Sequence, residues 1–366
     1  MVKEAAFVVP GDLATPTGGY AYDRHMIAEL RALGWLMQVL DIGAGFPRPT
    51  PAERLAARRQ LAELPIERPI VIDGLAFGVL GEEARALAPD RRLVALVHHP
   101  LALETGLSSA ESAALRLSER AALACARHVI TTSPSTAQLL VADYAVPPQR
   151  LSVVRPGTDR VAMRSRPGGP VVDLLAVGSV VPRKGYDILV AALAMMPDLA
   201  WRLIIAGDRD RSADTVQQLD ADIARLGLAG RVTFAGAVEP QRLMQLYAAS
   251  DLFVLPSRFE GYGMAYAEAI AHGVPVVGTQ AGAVPDTVPA GAGVLVPPDD
   301  VEALAAVLRR LIENPGERER LAAGARAAAA TFPSWQESAK LFARALEQVP
   351  EQGTGQVAGQ VAGQAK

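Results

Sequence analysis

Short apolar runs separated by longer amphipathic stretches recur along most of the chain, and they come in two sets. Ala5 to Val9, Met37 to Leu40, Ile70 to Asp73, Leu93 to Val97, His128 to Thr132 and Leu151 to Val154 form the first. After an aperiodic segment rich in Pro, Gly and Arg at 162–170, the pattern restarts with Asp173 to Val177, Arg202 to Ala206, Val232 to Ala235, Leu252 to Leu255, Val274 to Val277 and Val294 to Val296. Continuous apolar runs this short fit strands covered on both faces, and the segments between them have helical length. Alternation of strand and helix demands a parallel sheet, because parallel neighbours need a crossover connection. The prediction is an α/β chain of two Rossmann-like, doubly wound domains whose strand ends face a central cleft. At 366 residues, half of them apolar, the chain can supply a core to each. The expected division is a first domain over 1–161, a linker at 162–170, a second domain over 171–334, a terminal helix at 335–349 and a disordered tail at 350–366. Helices are expected near Val301 to Glu313, Gly316 to Ala330 and Trp335 to Gln348.

The stretch Asp251 to Gly278 carries the most chemistry. Met264 to His272 reads as a helix closed by Gly273, apolar on nearly every face, with Glu268 beside Met264, Ala267 and Ala271. A buried, unpaired carboxylate costs several kcal/mol, of order 2–7 even for neutral polar groups, so something polar must meet Glu268. Glu260 lies eight residues upstream, followed by Gly261 and Gly263 at the helix start. An N-terminus approachable through glycines suits phosphate, whereas carboxylates accept hydrogen bonds from hydroxyls. Two carboxylates bracketing an anion site fit a ligand with hydroxyls on both sides of a phosphate, which describes a sugar nucleotide.

Glu260 and Glu268, with seven residues between them and HGVPVVGTQAGAVPDTV following, resemble the donor-site signature of glycosyltransferase family 4, the retaining GT-B enzymes. The resemblance implies that Glu268 binds the nucleotide ribose and that Glu260 contacts the sugar near its reacting carbon. It puts His98 at the position of a histidine that also contacts the donor sugar, and Gly18-Gly19 at a glycine loop that approaches the donor phosphate or the acceptor. In VGSVVPRKGYDILVAAL, Lys184 takes the place of a diphosphate-binding lysine. The arginine the family commonly carries after the first glycine is Ser179 in this chain, and Arg183 is the substitute. Gly261, Gly263 and Met264 would present the helix N-terminus to the donor, and Gly236-Ala237-Val238 would lie against the nucleobase. Since an Arg fork and a Lys charge can neutralise a leaving diphosphate, neither a metal nor another cofactor is expected. The implied partners are a nucleotide-diphosphate sugar in the second domain and an unidentified saccharide, lipid-linked or small-molecule acceptor in the first. The terminal helix is expected to pack back on the first domain. Two rivals remain: a GT-B epimerase, and a regulator that binds sugar nucleotides without turnover. Acceptor-free release of nucleoside diphosphate separates the transferase from the regulator.

Other readings are weaker. A net charge of −3 gives no basic field for nucleic acid. The single cysteine, Cys125, excludes an intrachain disulfide and suits a reducing compartment; with Leu117, Ala121 and Ala124 it marks an expected core face. Glu4 and Pro10-Gly11-Asp12 interrupt any apolar run too early for a signal peptide, and no run approaches a membrane span. A cytoplasmic location follows, with or without peripheral contact at the inner face of a membrane. Arg54, Arg58 and Arg59 share one helix and could meet anionic lipid, although a solvated face is commoner. The loop PGDLATPTGGY has the wrong glycine spacing for a nicotinamide fingerprint, leaving only Asp41 for that reading. His98 and His99 should point to opposite sides and so cannot chelate one metal together. Asp208-Arg209-Asp210 reads as a solvated turn, and Ser133-Pro134 as a helix N-cap.

Overall fold

The computed structural model describes residues 3–159, 161 and 169–349, so most of the 162–170 linker and all of the 350–366 tail lie outside the described residues. The strands are β1 (Glu4–Val9), β2 (Leu36–Asp41), β3 (Pro69–Asp73), β4 (Arg92–Val97), β5 (His128–Thr131) and β6 (Leu151–Val153), then β7 (Val172–Val177), β8 (Trp201–Ala206), β9 (Val232–Gly236), β10 (Leu252–Val254), β11 (Val276–Thr279) and β12 (Gly293–Val296). Each overlaps an apolar run of the sequence. The one real shift is β11, expected at Val274. Val274 donates its N–H back to Ala269 in the helix it leaves, so strand pairing starts only at Val276.

Two six-stranded, all-parallel sheets result, ordered β2-β1-β3-β4-β5-β6 and β12-β11-β10-β7-β8-β9. In the first, the order reverses between β1 and β3; in the second, between β7 and β10. Ligands of open α/β sheets bind outside the carboxyl ends of the strands at such reversals, where neighbouring loops part in opposite directions. These two points come together in space. Gly261, in the loop after β10, packs so closely on the His98 carbonyl, after β4, that a Cβ there would collide with it. Thr136 Oγ1 also donates to the Gly261 carbonyl at 3.4 Å, and the Ser135 N–H to Asp286 at 2.8 Å.

Both faces of the first sheet are covered. One face packs on Phe77, Leu80 and Leu123. The other receives helix Gly18–Ala32 and, beside it, helix Trp335–Glu347, which returns from the second half of the chain. Fully buried Phe342 lies 6.3 Å from Phe7, centroid to centroid, and Trp335 stacks on His25 at 4.0 Å. Burying one such aromatic is worth about 1.5–3 kcal/mol. The expected face of helix Ser109–Cys125 needs correction. Leu117 is 70% exposed, and the buried side consists of Glu119, Ala122 and Leu123, with Cys125 at its margin. Glu119 turns that side inward because its carboxylate accepts the N–H groups of Leu101 and Ala102 and the Tyr144 hydroxyl. No helix among the described residues is long and apolar enough to cross a membrane.

Candidate functional site

β7 runs into a loop that closes as a 3-10 turn over Pro182–Lys184. Gly185 ends the turn at φ +67°, pressed on the Pro256 carbonyl so that only glycine fits. The turn thereby throws Arg183 and Lys184 toward the loop after β10. The Arg258 N–H donates to the Arg183 carbonyl at 2.8 Å, locking the loops together. Lys184 Nζ lies 2.6 Å from Glu260 Oε1, and Arg183 Nη1 lies 3.2 Å from Oε2. Ser257 Oγ donates to Oε1 at 2.7 Å. Glu260 is thus not a solvated loop residue; it is 6% exposed. Burial alone would raise its pKa, but Lys184 and Arg183 outweigh that and hold it at about 2. Burial in turn depresses Lys184, against the pull of Glu260.

Helix Met264–Ala271 starts four residues further on. Its N-cap, Gly263, sits at φ +86° and offers no capping side chain. The polar group that Glu268 required is Tyr247, whose hydroxyl donates to Oε2 at 2.8 Å. The His272 ring stacks on Tyr247 at 5.0 Å and its Nδ1 donates to the Glu268 carbonyl at 2.8 Å. Burial raises the half-buried Glu268 carboxyl to about 7, and the Tyr247 hydrogen bond only partly offsets this; among the described residues no cation contacts it.

In the first half of the chain, Thr17 caps helix Gly18–Ala32 by accepting the Tyr20 N–H. The glycine pair therefore forms the first helical turn, where a loop ending near Tyr20 was expected. A Cβ on Gly19 would meet the His98 ring at 3.4 Å, and one on Gly18 would meet Met264 Sδ at 3.7 Å. His98 Nε2 lies 3.2 Å from Asp23 Oδ1, on that helix, and 3.5 Å from Asp73 Oδ2, at the end of β3. Both aspartates are at most 1% exposed. Burial would lower the His98 pKa, but the two carboxylates prevail and raise it to about 10. Asp23 is pushed up to about 7, first by burial, with His98 opposing. Each of the three offers a ligand atom within 4.8 Å of the others, so the trio could hold a cation as well as shared protons.

His99 points away from His98, as expected of neighbours: its Nε2 lies 3.2 Å from Glu104, which also sits 3.3 Å from Arg183 Nε. The structure therefore brings Gly19, His98, Arg183, Lys184, Glu260, Gly261, Gly263 and Met264 to one cleft, with Glu268 one helical turn behind Met264. Val238, beyond the edge strand β9, packs on the second core instead of joining the charge cluster. Asp41 accepts the N–H groups of Gly11 and Gly43, a turn-holding role. Asp208 accepts the Asp210 N–H at 2.7 Å, closing a local turn, and Arg54 is engaged by Glu83 at 3.0 Å. Asp23, Asp73, Glu104 and Tyr247 were missed from sequence. Asp73 alone gave a usable signal, as an acid at the carboxyl end of an apolar strand.

Two family models match the chain: "Glycosyltransferase Family 4" over residues 21–161 and "Glycosyl transferases group 1" over residues 167–328. An MMP alpha-(1->4)-mannosyltransferase of Mycolicibacterium hassiacum is 32% identical over 318 residues, 81% of this chain and 74% of the relative. A D-inositol 3-phosphate glycosyltransferase of Xylanimonas cellulosilytica is 34% identical over 284 residues, 71% and 68% of the two chains. The structure of HepE from Anabaena in complex with UDP and glucose superposes with a TM-score of 0.75 at 21% identity, covering 94% of this chain and 99% of that one.

Proposed function

The chain belongs to the group 1, family 4 glycosyltransferases, and from that membership we propose that it transfers a sugar, with retention, from a nucleotide-diphosphate sugar without a metal. The observation that carries the donor assignment is the excess of cations among the second sheet's own loop residues at the β7–β10 reversal: Arg183 and Lys184 share Glu260 beside an uncapped helix N-terminus. A diphosphate arriving there meets a guanidinium, an ammonium and the N–H groups of Met264 and Ala265, a set that stabilises charge developing on a leaving phosphate. Glu268 then accepts ribose hydroxyls, taking over from Tyr247, and Glu260 and His98 orient the sugar from opposite walls.

In the reaction, the bond between the sugar's anomeric carbon and the diphosphate oxygen breaks. The acceptor oxygen bonds on the same face, and its proton passes to the departing phosphate, which Arg183, Lys184 and the helix N-terminus hold. The α linkage in the mannosyltransferase relative's name is what retention gives from an α-linked donor. Asp23 and Asp73 are positioning residues that keep His98 charged at neutral pH. Closure of the cleft would exclude water that otherwise competes with the acceptor.

The test is a panel of UDP-, GDP- and ADP-sugars, read as nucleoside diphosphate release with and without candidate acceptors. Proton NMR of the product then gives the anomeric configuration. Slow release without acceptor, faster release with one, an unchanged configuration and indifference to EDTA are expected. An inverted product would defeat the retention assignment. Chelator loss restored by a divalent ion would defeat metal independence and direct attention to Asp23, Asp73 and His98.

A further inference from the structure

We propose that Glu104 is a built-in competitor for the donor's diphosphate: it crosses from the first half of the chain to occupy Arg183 until a donor displaces it. This rests on the donor site proposed above and adds a residue that controls its affinity.

At the cluster, two cations face two carboxylates. Lys184 and Arg183 meet Glu260 at 2.6 and 3.2 Å, and Arg183 Nε meets Glu104 Oε1 at 3.3 Å. Formal charge at this cluster is therefore zero. A diphosphate entering would place a third anionic group on two cations in a site where neither Arg183 nor Lys184 exceeds 18% side-chain exposure, and like charges repel strongly where water is scarce. One carboxylate has to withdraw. Glu260 is ill suited to do so: its side chain is 8% exposed and held by Ser257 and Lys184, and its backbone is wedged against Gly282. Glu104 is free to move. Its side chain is 43% exposed, and it follows the short turn Leu101–Leu103. It also has partners on its own side, His99 Nε2 at 3.2 Å and the Thr105 N–H at 3.2 Å, which keep both its oxygens bonded when Arg183 is released.

Because Glu104 and Arg183 lie in different halves, their separation also cuts a tie across the cleft. Donor arrival and release of that tie are thus one equilibrium, and apparent donor affinity is reduced by the fraction of molecules in which Arg183 is occupied.

The experiment is calorimetric titration of the full chain with UDP, GDP and ADP, comparing the native protein with Glu104→Gln and Glu104→Ala. Both variants should bind the preferred diphosphate about three- to tenfold tighter, as for removal of a partly exposed competing ion pair. In steady state, the donor KM and the product inhibition constant should both fall. The gain should vanish in an Arg183→Met background. Equal or weaker binding by two folded Glu104 variants, or a gain that persists without Arg183, overturns the competitor role and leaves the donor site standing. Absence of diphosphate binding and of sugar-nucleotide turnover in the native chain and the Glu104 variants alike overturns the donor site, and the competitor role with it.

Discussion

Two charge clusters face each other across the cleft, built from similar side chains at equivalent places in the two sheets, yet opposite in balance. In the first half, Asp23 and Asp73 surround one histidine. In the second, Arg183 and Lys184 surround Glu260, and the charge is closed only by Glu104, which reaches over from the first half. Both sit at the carboxyl ends of their sheets, the second on the loops after β7 and β10, the first on the helix after β1, the end of β3 and the loop after β4. Topology thus decides where a ligand can enter, and the sign of the excess charge decides which part of it goes where. A cluster short of cations repels a leaving phosphate and suits hydroxyls and protons; a cluster whose own sheet supplies more cations than anions does the reverse.

The largest expected effect comes from inverting the second balance. Lys184→Met should lower the donor kcat/KM by about 10²–10³, the scale for losing one donor to a developing oxyanion. It should also lower stability, by up to about 3–5 kcal/mol, because Glu260 keeps only one cationic partner. Lys184→Arg should restore most of both. Kinetics corrected for folded fraction, alongside thermal denaturation, tell the two effects apart: lost stability with unchanged kcat/KM would reduce Lys184 to a structural counter-ion.

A smaller effect is expected in the first cluster. His98→Ala should reduce turnover about 10- to 100-fold, at the low end for a group positioned at the reacting centre, while nucleoside diphosphate affinity stays within about twofold. Asp23→Asn sharpens this. His98 is charged below its pKa of about 10, and removing a carboxylate lowers that value, so the alkaline fall in turnover should begin at lower pH. A protein that merely unfolds at His98→Ala, with an unmoved pH profile in Asp23→Asn, would assign the histidine to the core.

The smallest effect concerns Glu268, the acid held by Tyr247. Its carboxyl titrates near 7, so it accepts ribose hydroxyls better as pH rises. Diphosphate affinity should grow by up to about tenfold between roughly pH 6 and 8, and less so in Glu268→Gln, which isolates this term from the ligand's own ionisation. The two glutamates also act oppositely on the fold. Glu260, depressed to about 2, contributes stability above its unfolded pKa that is lost as pH falls toward 2. Glu268, raised, loses stability as pH climbs from its unfolded value of about 4.3 through 7. Parallel pH curves for native protein and Glu268→Gln would break the distinction.

The strands were legible because parallel strands buried on both faces read as short continuous apolar runs. Glu260, Glu268, Arg183 and Lys184 were legible because glycines and strand ends flank them in sequence. Asp23 was not. On an amphipathic helix it looks like any solvated acid, and its 0% exposure depends on Asp73 and His98, 50 and 75 residues away. The face expected from Leu117, Ala121, Ala124 and Cys125 fails for the same reason: the buried side is set by Glu119, whose partners are backbone N–H groups of a distant loop. Glu104 had no local sign of crossing to another sheet's loop.

The return of helix Trp335–Glu347 has a mechanical consequence. At its start the helix lies against the end of the first half: the Thr158 N–H donates to the Pro333 carbonyl at 2.9 Å, and Gly157 abuts the Trp335 backbone. The returning helix is thus pinned at its start by backbone as well as along its length by its buried aromatic face, so that a backbone cut just before Ser334 would leave it seated on the first half.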